Sequence, residues 1–254
     1  MKKLLKLSSV AIALTCLSSS AFADWASTHC KGLPTHAQLK DALIKARSAN
    51  NGGFNLDMWG TVVNRDGFVC AVAYTGGDRN QQWPGSRIIS AQKAYTANAF
   101  SLDTLALSTA NLYGPIQPGG SLYGLQHSNP IDASKAYDGN PIRYGTSLDP
   151  LVGKKIGGVN GFGGGLGLYK KSKDKLQIVG AVGVSGDSSC ADHNIAWRTR
   201  SNLGYVGLNN VPAGVSNNKN DGIVYDANGQ ITGWEHPTCS NEAKAASIAI
   251  GAGS

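Results

Sequence analysis

LQIVGAVGVSGD, residues 176–187, decides the fold. The apolar run is short and closes on a Ser-Gly-Asp turn, which predicts a strand. Its glycines predict bulges or the close approach of another backbone. Upstream, IGGVNGFGGGLGLYK (156–170) turns glycine-rich and leads into the polar KKSKDK (170–175), which reads as a hairpin loop. Downstream, ADHNIAWRTRSNLG (191–204) predicts a helix.

Outward from this segment the chain alternates in kind. Residues 34–49 predict a helix, with Thr35 and Gln38 at capping-box spacing and Leu39, Ala42, Leu43 and Ala46 on one stripe. LDMWGTVVN (56–64) and FVCAVAYT (68–75) flank Arg65-Asp66-Gly67 and predict a hairpin, with Cys70 on the face of Phe68, Val72 and Tyr74. SRIISAQKAYTANAFSLDTLAL (86–107) predicts a second helix with Ile88, Ala91, Tyr95, Ala99 and Leu102 facing inward. Residues 112–151, rich in Pro, Gly, Tyr, Asn and Ser, predict a long loop or lid. The tail holds a hairpin signal at Asn228-Gly229 and a short helix, NEAKAASIAIG (241–251). This order predicts an α+β fold, an antiparallel sheet with packed helices in a single domain.

Residues 1–23 read as a secretory signal, with Lys2, Lys3 and Lys6, a short apolar run, and Ala21-Phe22-Ala23 as the cleavage site. The expected product is periplasmic or secreted and begins at Asp24, with a core at 34–203 and a C-terminal extension at 204–254. Without those three lysines the formal charge of +7 becomes +4. That mild excess, with no basic stripe, argues against a nucleic-acid partner. No later segment approaches the roughly 18 apolar residues of a membrane helix, so no membrane partner is expected. A content of 41% hydrophobic and 15% charged residues excludes a highly charged disordered chain.

Cys30, Cys70, Cys190 and Cys239 remain after cleavage, and four cysteines in an oxidising compartment read as two disulfides with three possible pairings. Cys30–Cys70 and Cys190–Cys239 respect the two halves of the chain. The alternative for the second pair is a zinc site, because Cys190-Ala-Asp-His193 and His236-Pro-Thr-Cys239 supply a Cys2His2 set. A bridge would bring His193 and His236 into one neighbourhood.

Several motifs fail. Gly153-Lys154-Lys155 lacks the Walker serine or threonine. Gly183-Val184-Ser185-Gly186-Asp187 has Asp where a nucleophile elbow needs Gly, which leaves Ser185 with His193 a weak catalytic pair. An EF-hand frame on Gly222 places Lys219 and Asn228 where ligands belong. No complete catalytic constellation is present.

The helix SRIISAQKAYTANAF, the strand end IVGAVGVSGD and the helix carrying Asp192 and Ala196 together resemble the haem-degrading, GlcG/HbpS-like family. The matching positions are Ser90, Lys93, Ala94, Thr96 and Ala97, then Gly180 to Gly186, across roughly residues 35–200. The chain departs from that family in its long 104–155 region, its cysteines and its C-terminal extension. The resemblance implies an α/β domain with an antiparallel sheet, often homo-oligomeric, and a small-molecule ligand that is haem in several relatives.

Haem as cofactor would need an axial ligand and cations near its propionates. His193, at a helix start that disfavours the imidazolium, is the first candidate for the haem iron, and His127 in the loop is the second. Lys93, Arg198 and Arg200 are the candidate propionate partners. Three function classes follow: an exported binding protein for haem or a similar planar ligand, an accessory oligomeric protein, or an enzyme of haem breakdown.

Overall fold

The computed structural model describes residues 28–173, 175–205 and 211–254, so the predicted signal at 1–23 lies outside the described residues. Residues 33–254 form one compact unit. The larger unit contains a four-stranded antiparallel sheet, with β1 (Trp59–Asn64), β2 (Val69–Tyr74), β3 (Gly165–Ser172) and β4 (Lys175–Ser185) in the order β2-β1-β4-β3. The long apolar β4 pairs with β1 from Trp59↔Ser185 to Asn64↔Gly180, and with β3 from Gly165↔Gly183 to Ser172↔Lys175.

Helix α1 (His36–Arg47) starts where its capping box predicts. The Thr35 hydroxyl accepts the Gln38 N–H, and the Gln38 side chain accepts the Thr35 N–H at 2.9 Å. Its buried stripe is the predicted one: Leu39, Ala42, Leu43 and Ala46. With Ile195, Ala196 and Trp197 of α3 (Ser189–Asn202), this stripe covers one sheet face over Val62, Val182 and Val184. The other face carries Trp59, Val63, Val72 and Ala181 under α2 (Ser86–Phe100), closed by Ala136, Leu151 and Ile156 of the long loop. Alternate residues of β1 thus serve two cores, because a strand sends successive side chains to opposite faces. A terminal helix, α4 (Asn241–Ala249), packs on α3.

The strand glycines have a steric reason. A Cβ at Gly183 would collide with the Ser90 carbonyl oxygen and the Ala94 backbone of α2, and one at Gly165 with the Lys93 carbonyl oxygen. The absence of side chains at these strand positions lets the two backbones come together.

Three sequence expectations need correction. Cys70 is the extra residue of a β-bulge, since Val62 opposes Ala71 while Val63 opposes Val69. The bulge turns Cys70 to the α1 side, away from Val72. Helix α2 stops at Phe100 because Ser101 is extended and its hydroxyl bonds Leu107, so Leu102 is exposed; Ala99 is exposed too, whereas the predicted Ile88 and Ala91 are buried and share the covered side with Ser90, Lys93, Ala94 and Ala97. The Asn228-Gly229 turn exists with positive φ at both residues, but its arms do not continue as paired strands. Ile223 bridges Gly253 and Tyr225 bridges His236 instead, so this segment is tied to the C-terminal tail.

Candidate functional site

Helices α2 and α3 meet at the glycine-bearing end of the sheet, and their polar side chains form a closed centre. Lys93 Nζ donates to Asp192 Oδ2 at 2.7 Å and to the Val184 carbonyl oxygen at 3.3 Å. Asp192 Oδ1 accepts the Asp187 N–H at 2.9 Å. Burial lifts the Asp192 carboxyl to about 6 against the pull of Lys93. Asp187, which breaks the elbow motif, accepts the N–H groups of Phe54 and Leu56 at 2.8 and 3.1 Å and pins the loop after α1. The Ser-Gly-Asp turn is therefore a structural clamp.

His193 follows Asp192 on α3 and is 0% exposed. Neither ring nitrogen makes a well-formed hydrogen bond among the described residues; the Ala252 backbone lies close enough only to favour the cation weakly. Burial pulls its pKa down to about 3, and His236, Arg200 and Lys93 push the same way. His236 Nδ1 donates to the Pro237 carbonyl oxygen at 2.8 Å, and its Nε2 accepts the Gly163 N–H at 3.4 Å. Burial takes its pKa to about 4. Both imidazoles are neutral at ordinary pH.

The Cys190–Cys239 disulfide is present with S–S 2.03 Å, and Cys30 and Cys70 are disulfide-bonded residues as well. His236 Nδ1 stands 4.0 Å from Cys190 Sγ. The bridge replaces the Cys2His2 alternative, since bridged sulfurs are not thiolate ligands. His193 is also absent from the group of potential ligand atoms formed by Cys190, His236 and Cys239.

Of the remaining candidates, Arg200 borders this centre, while Arg198 and His127 lie nearer the surface. Arg200 holds Asp221 through two bonds of 2.6 and 2.9 Å, both side chains buried, and stacks on Trp197. Arg198 is half-buried and donates to Asn51 Oδ1 at 3.2 Å. His127 is exposed on the one-turn helix Leu125–Ser128 of the long loop. The sequence offered no sign that Asp192 and Asp221 neutralise Lys93 and Arg200, because these pairs are 99 and 21 residues apart.

This arrangement does not fit a haem at His193. The ring lies against Trp197, a Cβ at Gly163 would press on its own Cβ, and the nearby cations Lys93 and Arg200 already hold carboxylates. What the centre does chemically is to lock three elements together through charge-assisted bonds in a dry interior.

The fold and its centre define a class of small α+β proteins in which helices flank a four-stranded antiparallel sheet. The chain belongs to the family described as haem degrading protein HbpS-like, whose profile matches residues 35–200. It is similar to the Klebsiella pneumoniae protein ORFY at 23% identity, covering 67% of this chain and 89% of that one, with a TM-score of 0.44. A PduOC:heme complex is similar at 21% identity, 65% and 89% coverage and a TM-score of 0.44. A double mutant of HbpS from Streptomyces reticuli is similar at 16% identity, 65% and 82% coverage and a TM-score of 0.42. No curated protein matches the chain.

Proposed function

We propose that this is an exported binding protein for haem or a similar planar, anionic small molecule. The observation that carries the reading is the family match over residues 35–200, which spans all four strands and α1 to α3 as far as Arg200. Export is supported by the basic, apolar and Ala-x-Ala pattern of residues 1–23 and by the disulfides, which persist in oxidising compartments. His127, four residues after the exposed Tyr123, is an imidazole that a ligand can reach without opening the core. It replaces His193 as the first candidate to meet a haem iron.

The test is a haem titration of the oxidised protein, followed by its Soret band. A saturable shift at stoichiometric haem is the expected result. A weak shift that never saturates overturns the reading.

A further inference from the structure

The first turn of α2 and the long loop line a half-open cavity of about 350 Å³ on the side of the sheet away from α1. Trp59 contributes from β1 and Ile88 from α2, while Tyr137, Pro141 and Tyr144 come from the loop. Among the described residues the lining is mostly apolar and contains no carboxylate. It does contain two guanidinium groups, and they differ in state. Arg87 is buried, holds Asp149 through Nε at 2.9 Å and through a second bond, and stacks on Tyr144 with its Cζ 3.7 Å from the ring centre. Arg79 makes no hydrogen bond or ion pair among the described residues.

We propose that this cavity binds a small aromatic carboxylate of one or two rings, with the carboxylate on Arg79. Aromatic and aliphatic walls favour a flat apolar body. The free guanidinium offers the paired N–H fork that a carboxylate matches, with no acidic neighbour in the lining to compete. The volume lies near the lower end of the roughly 300–1,000 Å³ usual for ligand sites, which sets the size class.

The walls are braced before any ligand arrives. Trp59 is 1% exposed, and its Nε1 donates to the Trp83 carbonyl oxygen at 3.1 Å. Tyr144 Oη donates towards the carbonyl oxygens of Tyr137 and Asp138 at 3.3 and 3.4 Å. Such walls lose little freedom on binding, so the contact energy is retained as affinity. The lining includes none of His127, His193, Lys93, Arg198 and Arg200, so the site stands independently of the haem reading.

Calorimetric titration of the oxidised full-length protein with 2-naphthoate, and with uncharged 2-naphthamide as its isostere, tests the proposal. Saturable 1:1 binding of naphthoate is expected, at least about tenfold tighter than naphthamide, consistent with the worth of a charge-assisted bond. Arg79→Gln should abolish that preference at an unchanged melting temperature, because Arg79 makes no hydrogen bond or ion pair among the described residues. Tyr137→Ala should weaken both ligands. Absence of saturable naphthoate binding, equal affinity for the two ligands, or a preference that survives Arg79→Gln overturns the site. A parallel Soret titration of Arg79→Gln reads the haem proposal separately.

Discussion

Lys93 Nζ and Asp192 Oδ2 lie 2.7 Å apart, almost fully buried, and join α2 to α3 across the end of the sheet. Removing one partner of such a pair strands the other charge without water. Lys93→Met should therefore destabilise the protein by about 3–5 kcal/mol. The double variant Lys93→Met/Asp192→Leu should recover part of that loss. Urea unfolding of the two singles and the double measures the coupling, and purely additive losses would rule the pairing out as a determinant of stability.

The two buried histidines set an acid limit. Their folded pKa values of about 3 and 4 lie below the ordinary 6.5, so between these values the unfolded chain binds protons that the folded chain refuses. That stability is fully present above the unfolded value and is lost as the pH falls. Asp192 opposes the trend: raised from 3.8 to about 6, it takes up a proton in the fold first and favours folding on acidification. Two histidines outweigh one carboxyl, so stability should fall between about pH 6.5 and pH 4. His236→Gln should make the slope shallower in urea unfolding at stepped pH. A flat or rising profile for the unmodified protein would contradict this.

The Cys190–Cys239 bridge closes a loop with 49 residues of separation and ties the start of α3 to the segment before α4. Chain-entropy arguments give about 4 kcal/mol for a loop of that length. Cys190→Ser/Cys239→Ser should lower stability by that order, read from denaturant midpoints at constant slope. A loss below about 1 kcal/mol would mean that the bridge adds little to contacts already in place.

Gly183→Ala should also be costly. The added methyl meets helix backbone at Ser90 and Ala94, which cannot rotate away. Overpacking of this kind costs about 1–3 kcal/mol, and the melting temperature should fall accordingly. Gly204→Ala is no steric control, because its φ of +72° strains any side chain; Gly85→Ala, with open space around the new Cβ, is the control and should be nearly neutral.

Local chemistry was legible in the sequence wherever it acted alone. The Thr35–Gln38 box, the Asp66-Gly67 turn and the β4 run each appear at the predicted place. Long-range packing was not. The inward face of α2 follows the glycines of β3 and β4, more than 60 residues away, so helical periodicity alone selected Ala99 and Leu102 in error. Cys70 changed face because a bulge leaves no mark in a run of small and β-branched residues. Lys93, Arg200 and His193 were visible as chemistry-bearing residues, but their burial and carboxylate partners were not. Arg79 sits in a polar turn without any motif, and only the cavity it lines gives it significance.

The most direct measurement is a haem titration of His127→Ala and His193→Ala beside the unmodified protein, with near-ultraviolet circular dichroism to establish that each is folded. His127→Ala should weaken saturable Soret binding by tenfold or more, while a folded His193→Ala should match the unmodified protein. Loss of binding in a folded His193→Ala, with His127→Ala unaffected, would place the ligand in the interior and contradict the reading of that centre as a closed structural lock.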